Sequence, residues 1–180
     1  MVTRMALVLN ILLFQLGWCA CVLGAARGLA WAGALTALMI VAWHVARADA
    51  PRRELQLVIF AAVLGALFET LLVQSGWIRF GAGVLIEGAA TYWMVALWAL
   101  FATTLNVSLR SLRSRAWIAA LLGAIGGPMA YYAGARLGAL EFVAAGAALS
   151  AIGAGWAVLT PLLFRAALRL DGYGAPRVAS

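Results

Sequence analysis

The stretch LQLVIFAAVLGALFETLLV, residues 55–73, decides the fold. It holds nineteen residues and one ionisable group, Glu69. Eighteen or more apolar residues in a row are what a helix needs to cross the hydrocarbon of a bilayer. A soluble amphipathic helix would carry a polar stripe along one face, and this run carries almost none. It reads as a transmembrane helix with an acid inside it.

The same pattern recurs on both sides. Upstream, the segment Arg47-Ala48-Asp49-Ala50-Pro51-Arg52-Arg53-Glu54 is the clearest break in the chain, a charged loop. Before it come apolar runs at residues 28–46 and 5–24. The first run also fits the outline of a signal peptide, with Leu23-Gly24-Ala25-Ala26 offering small residues for cleavage. Its full-span length, and Asn10, Gln15 and Trp18 within it, favour a retained helix. Downstream, residues 74–88 contain Trp77, Arg79, Phe80, Gly81, Gly83 and Glu87, and are too interrupted for a span. They read as an interfacial or re-entrant segment. Further runs lie at 89–109, 116–133 and 142–164, and residues 166–180 form a polar tail expected to be partly disordered. The expected fold is an all-α, polytopic transmembrane bundle of about six spans in one domain.

Composition agrees. Of the 180 residues 66% are hydrophobic and 11% charged, where a soluble domain carries roughly a quarter charged. All 13 basic residues are arginine, and the net charge is +7. In a soluble protein this would raise nucleic acid as a partner. Here the arginines sit between apolar runs, as topology signals facing lipid headgroups do, so lipids rather than nucleic acid are the expected partners. Six spans put Arg4, Arg47, Arg52, Arg53, Arg110, Arg113, Arg115, Arg165, Arg169 and Arg177 on one side, against Arg27, Arg79 and Arg136 on the other. That asymmetry predicts both termini in the cytoplasm.

Several reaction classes are excluded by subtraction. Lysine is absent, which removes Schiff-base chemistry. A single histidine, His44, excludes His-box metal centres and bis-histidine haem. There is no His-Glu-x-x-His and no Gly-x-Ser-x-Gly, and the two aspartates lie outside the apolar runs. No metal and no cofactor is expected. Cys19 and Cys21, two apart on a helix, point to different sides and read as buried structural thiols rather than a disulfide.

Glu69 is the candidate catalytic group, because an acid inside hydrocarbon must be paired, protonated or facing a cavity. Tyr92, Trp93, Tyr131, Arg136 and Glu141 fall at its level, in the outer half, and are candidates to line a substrate site, with Gln15, nearer the middle, as a sixth. An aromatic belt at the interface accounts for the tyrosines and tryptophans one by one. Asn10, Thr103, Thr104 and Asn106 read as hydrogen-bond partners between helices. His44, beside Trp43 and one turn before Arg47, reads as an interfacial imidazole reaching headgroups. Gly123 with Gly127, Gly134 with Gly138, and Gly146 with Ser150 and Ala154 are small residues one turn apart. Such residues favour close helix packing and leave a homodimer or another membrane partner open.

Three stretches carry a resemblance: Asn10-Ile11-Leu12-Leu13-Phe14-Gln15-Leu16-Gly17-Trp18, Leu97-Trp98-Ala99-Leu100-Phe101-Ala102-Thr103-Thr104-Leu105-Asn106, and Gly126-Gly127-Pro128-Met129-Ala130-Tyr131-Tyr132-Ala133-Gly134-Ala135-Arg136-Leu137-Gly138. Together they resemble a family of small bacterial inner-membrane proteins of unknown function, found near lipid-modifying genes. The resemblance implies a multi-pass protein of the bacterial inner membrane, with no assigned reaction, and associates the position of Glu69 with aspartate in relatives. The leading expectation is a lipidic substrate bound or modified in an outer-half cavity around Glu69. The alternatives are a small proton-coupled exporter of hydrophobic cations and a non-catalytic accessory subunit of a membrane complex.

Overall fold

The computed structural model describes residues 3–174. Six helices follow the apolar runs: α1 (Arg4–Ala26), α2 (Ala30–Ala46), α3 (Pro51–Gln74), α4 (Tyr92–Leu105), α5 (Ala116–Arg136) and α6 (Ala145–Arg169). Four of them, α1, α3, α5 and α6, are long and apolar enough to cross a bilayer, as an integral membrane protein requires. Their ends follow local chemistry. Thr3 caps α1 by accepting the Ala6 N–H at 3.2 Å. Pro51 opens α3 in its first turn, where its missing N–H costs nothing.

The other two are shorter. α2 has 17 residues and α4 has 14, about 25 and 21 Å of helix. The expected run at 89–109 is trimmed at both ends, because Thr91 is extended and Asn106 leaves the helix to serve a buried network described below. α4 is short because it is the centre of the bundle. It packs against α1, α2, α3 and α6, and ten of its fourteen residues are buried. A helix that is apolar all round and faces protein on most sides has no hydrocarbon thickness to match.

The helices alternate in direction. α1, α3 and α5 begin at one end of the bundle, the basal end, where α2, α4 and α6 finish. Asn10 near the start of α1 reaches the Thr103 carbonyl near the end of α4 at 3.1 Å, and Glu54 at the start of α3 reaches Asn106 just past the end of α4 at 2.8 Å. Close contacts are made where side chains vanish. Gly33 of α2 lies against the backbone of Ala20 and Cys21, and Gly123 of α5 against the backbone of Trp156. Lipid gives helices no hydrophobic reason to associate, so such backbone approach supplies the packing energy. The outer stripe Gly146, Ser150 and Ala154 faces away from the bundle instead. Cys21 is buried, whereas Cys19 faces outward, which corrects the expectation that both thiols are interior.

At the opposite, apical end residues 74–88 are not a re-entrant helix. Ile78–Phe80 form a strand, β1, antiparallel to β2 at Leu140–Phe142, with Arg79 facing Glu141. The loop beyond β1 exposes Leu85 and Ile86. This two-stranded ladder joins the α3–α4 connection to the α5–α6 connection. The expected polar tail is also corrected: α6 continues to Arg169, and Leu170 to Gly174 dock against the basal end. Residues 175–180, including Arg177, lie outside the described residues.

Candidate functional site

Glu69 lies 18 residues into α3, about 27 Å from Pro51, and is fully buried. Its Oε1 accepts the indole N–H of Trp98 at 2.9 Å and the hydroxyl of Tyr131. Oε2 has no hydrogen-bond partner, and no arginine or histidine pairs with Glu69 among the described residues. Leaving one buried acceptor unpaired costs about 1–3 kcal/mol, the kind of cost that persists at functional sites. Gly65, one turn before Glu69, admits the Trp98 ring flat against α3, where a Cβ would overlap it. Trp98 in turn stacks on Trp156 of α6, with centroids 4.5 Å apart and planes at 25°, and Phe101 meets Trp156 edge-on at 5.3 Å.

In front of this aromatic layer is a cavity of about 490 Å³. α1 packs on α2 and α4, and α5 packs on α6, but α1 and α5 make no comparable contact. The cavity fills the gap between them. Phe14, Gln15 and Trp18 form its α1 wall, Gly123 to Gly134 its α5 wall, and Trp98, Phe101 and Trp156 its floor. From Gly123 to Gly134 it runs about 16 Å along the helix axis. It is an apolar groove parallel to the helices, and no charged residue lines it among the described residues.

The expected site is thus redistributed. Tyr131, Trp93 and Gln15 line the groove, but Glu69 does not: Tyr131 and Trp98 stand between it and the space. Trp93 is also tied at the rim, its N–H donating to the Ala82 carbonyl at 3.0 Å. Tyr92 points elsewhere, half-buried and outside the lining. Arg136 is exposed at the end of α5. Glu141 sits on β2, exposed, 3.8 Å from Arg79 across the ladder. Both are drawn away because the turn after α5 leads straight into β2. Trp98, Trp156 and Thr160 were missed as site residues. Nothing in their local sequence marks them, since each is selected by a partner on another helix.

A second buried acid closes the basal end. Glu54, expected in a solvated loop, is fully buried in the first turn of α3. Its Oε1 lies 2.8 Å from His44 Nε2, and its Oε2 accepts from Asn106 at 2.8 Å and from the Gly172 N–H at 3.1 Å. His44 is therefore an interior partner and not a headgroup contact; the exposed neighbours Trp43 and Arg47, with the guanidinium 5.2 Å from the ring centroid, hold that position instead. Burial, and then the charge of Glu54, push the Tyr173 phenol up from its ordinary value, so it stays protonated and donates to the His44 carbonyl at 2.6 Å. Arg113 donates to Asn106 Oδ1, to the Ala167 carbonyl at 3.1 Å and to Asp171 at 3.0 Å, and Arg110 pairs with Asp171 at 2.8 Å.

Partial burial pushes the Asp171 carboxyl up, but the hydrogen bonds from Arg113 and the Tyr173 N–H and the charges of Arg113 and Arg110 outweigh it and hold the group below its ordinary value. A depressed carboxylate stabilises the fold above its unfolded pKa and loses that contribution as pH falls through its folded value. Wild-type melting temperature should therefore drop below about pH 4 more steeply than that of Asp171→Asn. At neutral pH the variant should be about 1–3 kcal/mol less stable. Parallel acid limbs in the two proteins would remove Asp171 from the account.

The fold and these two sites define an integral membrane helical bundle with one buried acid behind an apolar groove and another clasping its basal end. The family described as "Protein of unknown function (DUF2878)" matches residues 7–162, most of the chain, and this chain belongs to it. No curated protein and no solved structure matches it.

Proposed function

We propose that this protein binds a lipidic amphiphile in the groove between α1 and α5, with the basal end facing the cytoplasm of a bacterial inner membrane. The observation that carries the reading is the groove itself. It is long, apolar, parallel to the helices and flanked by two helices that leave a gap toward the bilayer. A hydrocarbon chain lying as its neighbours in the membrane lie matches that shape. Tyr131 is one of the few polar groups such a ligand meets, with Gln15 and Thr160, and Glu69 acts behind it as the acceptor that orients the hydroxyl. The arginines at the basal end, Arg47, Arg52, Arg53, Arg110 and Arg115 among them, support the orientation through their preference for the cytoplasmic face.

Gly126 supplies the test. It lines the groove, and a Cβ there meets nothing within 4 Å. Gly126→Phe should fill the space and leave the packing alone. Native mass spectrometry of the wild-type protein in an uncharged detergent should show a retained amphiphile, with occupancy in Gly126→Phe at least about tenfold lower, equivalent to about 1.4 kcal/mol. Melting temperatures should match. A wild-type protein that retains nothing from its membrane would sink the proposal, as would equal retention by the variant.

A further inference from the structure

We infer that the head of the groove's ligand is a cation, an amphiphilic ammonium rather than a carboxylate or phosphate. This rests on the groove binding an amphiphile, as proposed above, and goes on to name its charge. The first observation is the acid without a counter-charge. Glu69 is fully buried, its Oε1 is met only by two neutral donors, and its Oε2 is met by none. Buried acids are held by pairing with a charge or a full set of hydrogen bonds, and the bundle gives Glu69 neither. The contrast within one chain is direct. Glu54 has His44, Asn106 and the Gly172 N–H on its two oxygens, and Asp171 has two arginines. A cation in the groove would face Glu69 across Tyr131 and Trp98, acting on its charge without touching it.

The second observation is the wall. Phe14, Trp18, Phe101 and Trp156 line the space, and aromatic rings attract ammonium groups at their faces; Trp98 is the layer behind, held between Gly65 and Trp156. The third is what the lining omits. Among the described residues no arginine or histidine lines the groove, so an anionic head would have only neutral groups, Gln15, Trp18, Thr160 and the unpaired Trp156 N–H, to replace its hydration. Tyr131 links the two halves of the site. Its hydroxyl hydrogen is committed to Glu69, so toward the groove its oxygen can only accept, from the Trp156 N–H beside it or from a ligand. A phenol donating to a carboxylate is a stronger acceptor than a free one.

The experiment compares three amphiphiles on one alkyl chain, dodecyltrimethylammonium, dodecanol and dodecanoate, binding to the purified full chain in an uncharged detergent. Gly126→Phe gives the background. Dodecyltrimethylammonium should bind at least about tenfold more tightly than dodecanoate, with dodecanol between them. In Glu69→Gln, which keeps an oxygen for Trp98 and Tyr131 but loses the charge, the ammonium advantage over dodecanol should fall to nearly nothing while dodecanol binding holds. Equal or tighter binding of dodecanoate to the wild type overturns the inference and leaves the groove proposal standing. So does an ammonium advantage that survives Glu69→Gln unchanged. Binding of all three at background level overturns the groove proposal itself. If Glu69→Gln does not melt as a folded protein, the head-group ranking in the wild type decides alone.

Discussion

Glu54→Ala is expected to destabilise the protein by about 3–5 kcal/mol, the range for removing one member of a buried charged network. The carboxylate is not simply one bond among many. Its loss strands the His44 imidazole, the Asn106 amide and the Gly172 N–H in a place water does not reach, and each stranded polar group costs about 1–3 kcal/mol. The effect should spread to the chain end, because Leu170 to Gly174 are held by Asn106, Glu54 and Arg113 together. Thermal melting in detergent measures the first part. Limited proteolysis measures the second, with cleavage near residues 170–174 much faster in the variant. Glu54→Gln keeps one acceptor oxygen and should lie between the two. A loss below about 1 kcal/mol for Glu54→Ala would mean that the network is wetter and looser than its geometry.

Gly123→Leu is expected to cost about 3 kcal/mol, the upper end for forcing bulk into a packed interior. A Cβ at Gly123 collides with the Trp156 carbonyl oxygen and the Thr160 hydroxyl, so backbone and not a movable side chain stands in the way. α6 must retreat, and it carries Trp156 away from Trp98. Melting temperature should fall, and ligand retention should fall with it, because the floor of the groove comes apart. Gly126→Phe, three residues along the same helix, is the internal comparison, since it adds a larger side chain into open space. If both substitutions destabilise equally, the α5–α6 contact is not where the packing energy lies.

Much of the architecture was legible because the apolar runs are long and their interruptions are charged. Residues 55–73 have the length and apolar content of a membrane-spanning helix, and the acid inside stood out because the run carries no other ionisable group. The two strands were invisible for the opposite reason. Ile78–Phe80 and Leu140–Phe142 are three residues each, too short for an alternating pattern to register, and they exist because they pair. Glu54 was misread because it follows Pro51, Arg52 and Arg53, and those three residues are exposed as expected. One residue further, the first helical turn rotates its side chain inward. His44 was misread with it, since a lone histidine near a helix end gives no hint of a carboxylate ten residues on. Glu69 was visible as an acid within an apolar run, but its partners Trp98 and Tyr131 come from α4 and α5, and only the packing of those helices decides which aromatic residue meets it.

The clasp at Glu54 also says something about how the chain is made. Glu54 emerges from the ribosome 118 residues before Gly172. Until Gly172 is made, Glu54 Oε2 lacks one of its two donors. The last short segment after α6 completes the clasp, together with Arg113 and Asp171. A chain halted before residue 172 therefore lacks the N–H that completes the hydrogen bonds of the Glu54 carboxylate, so the basal end closes only when this last segment is in place.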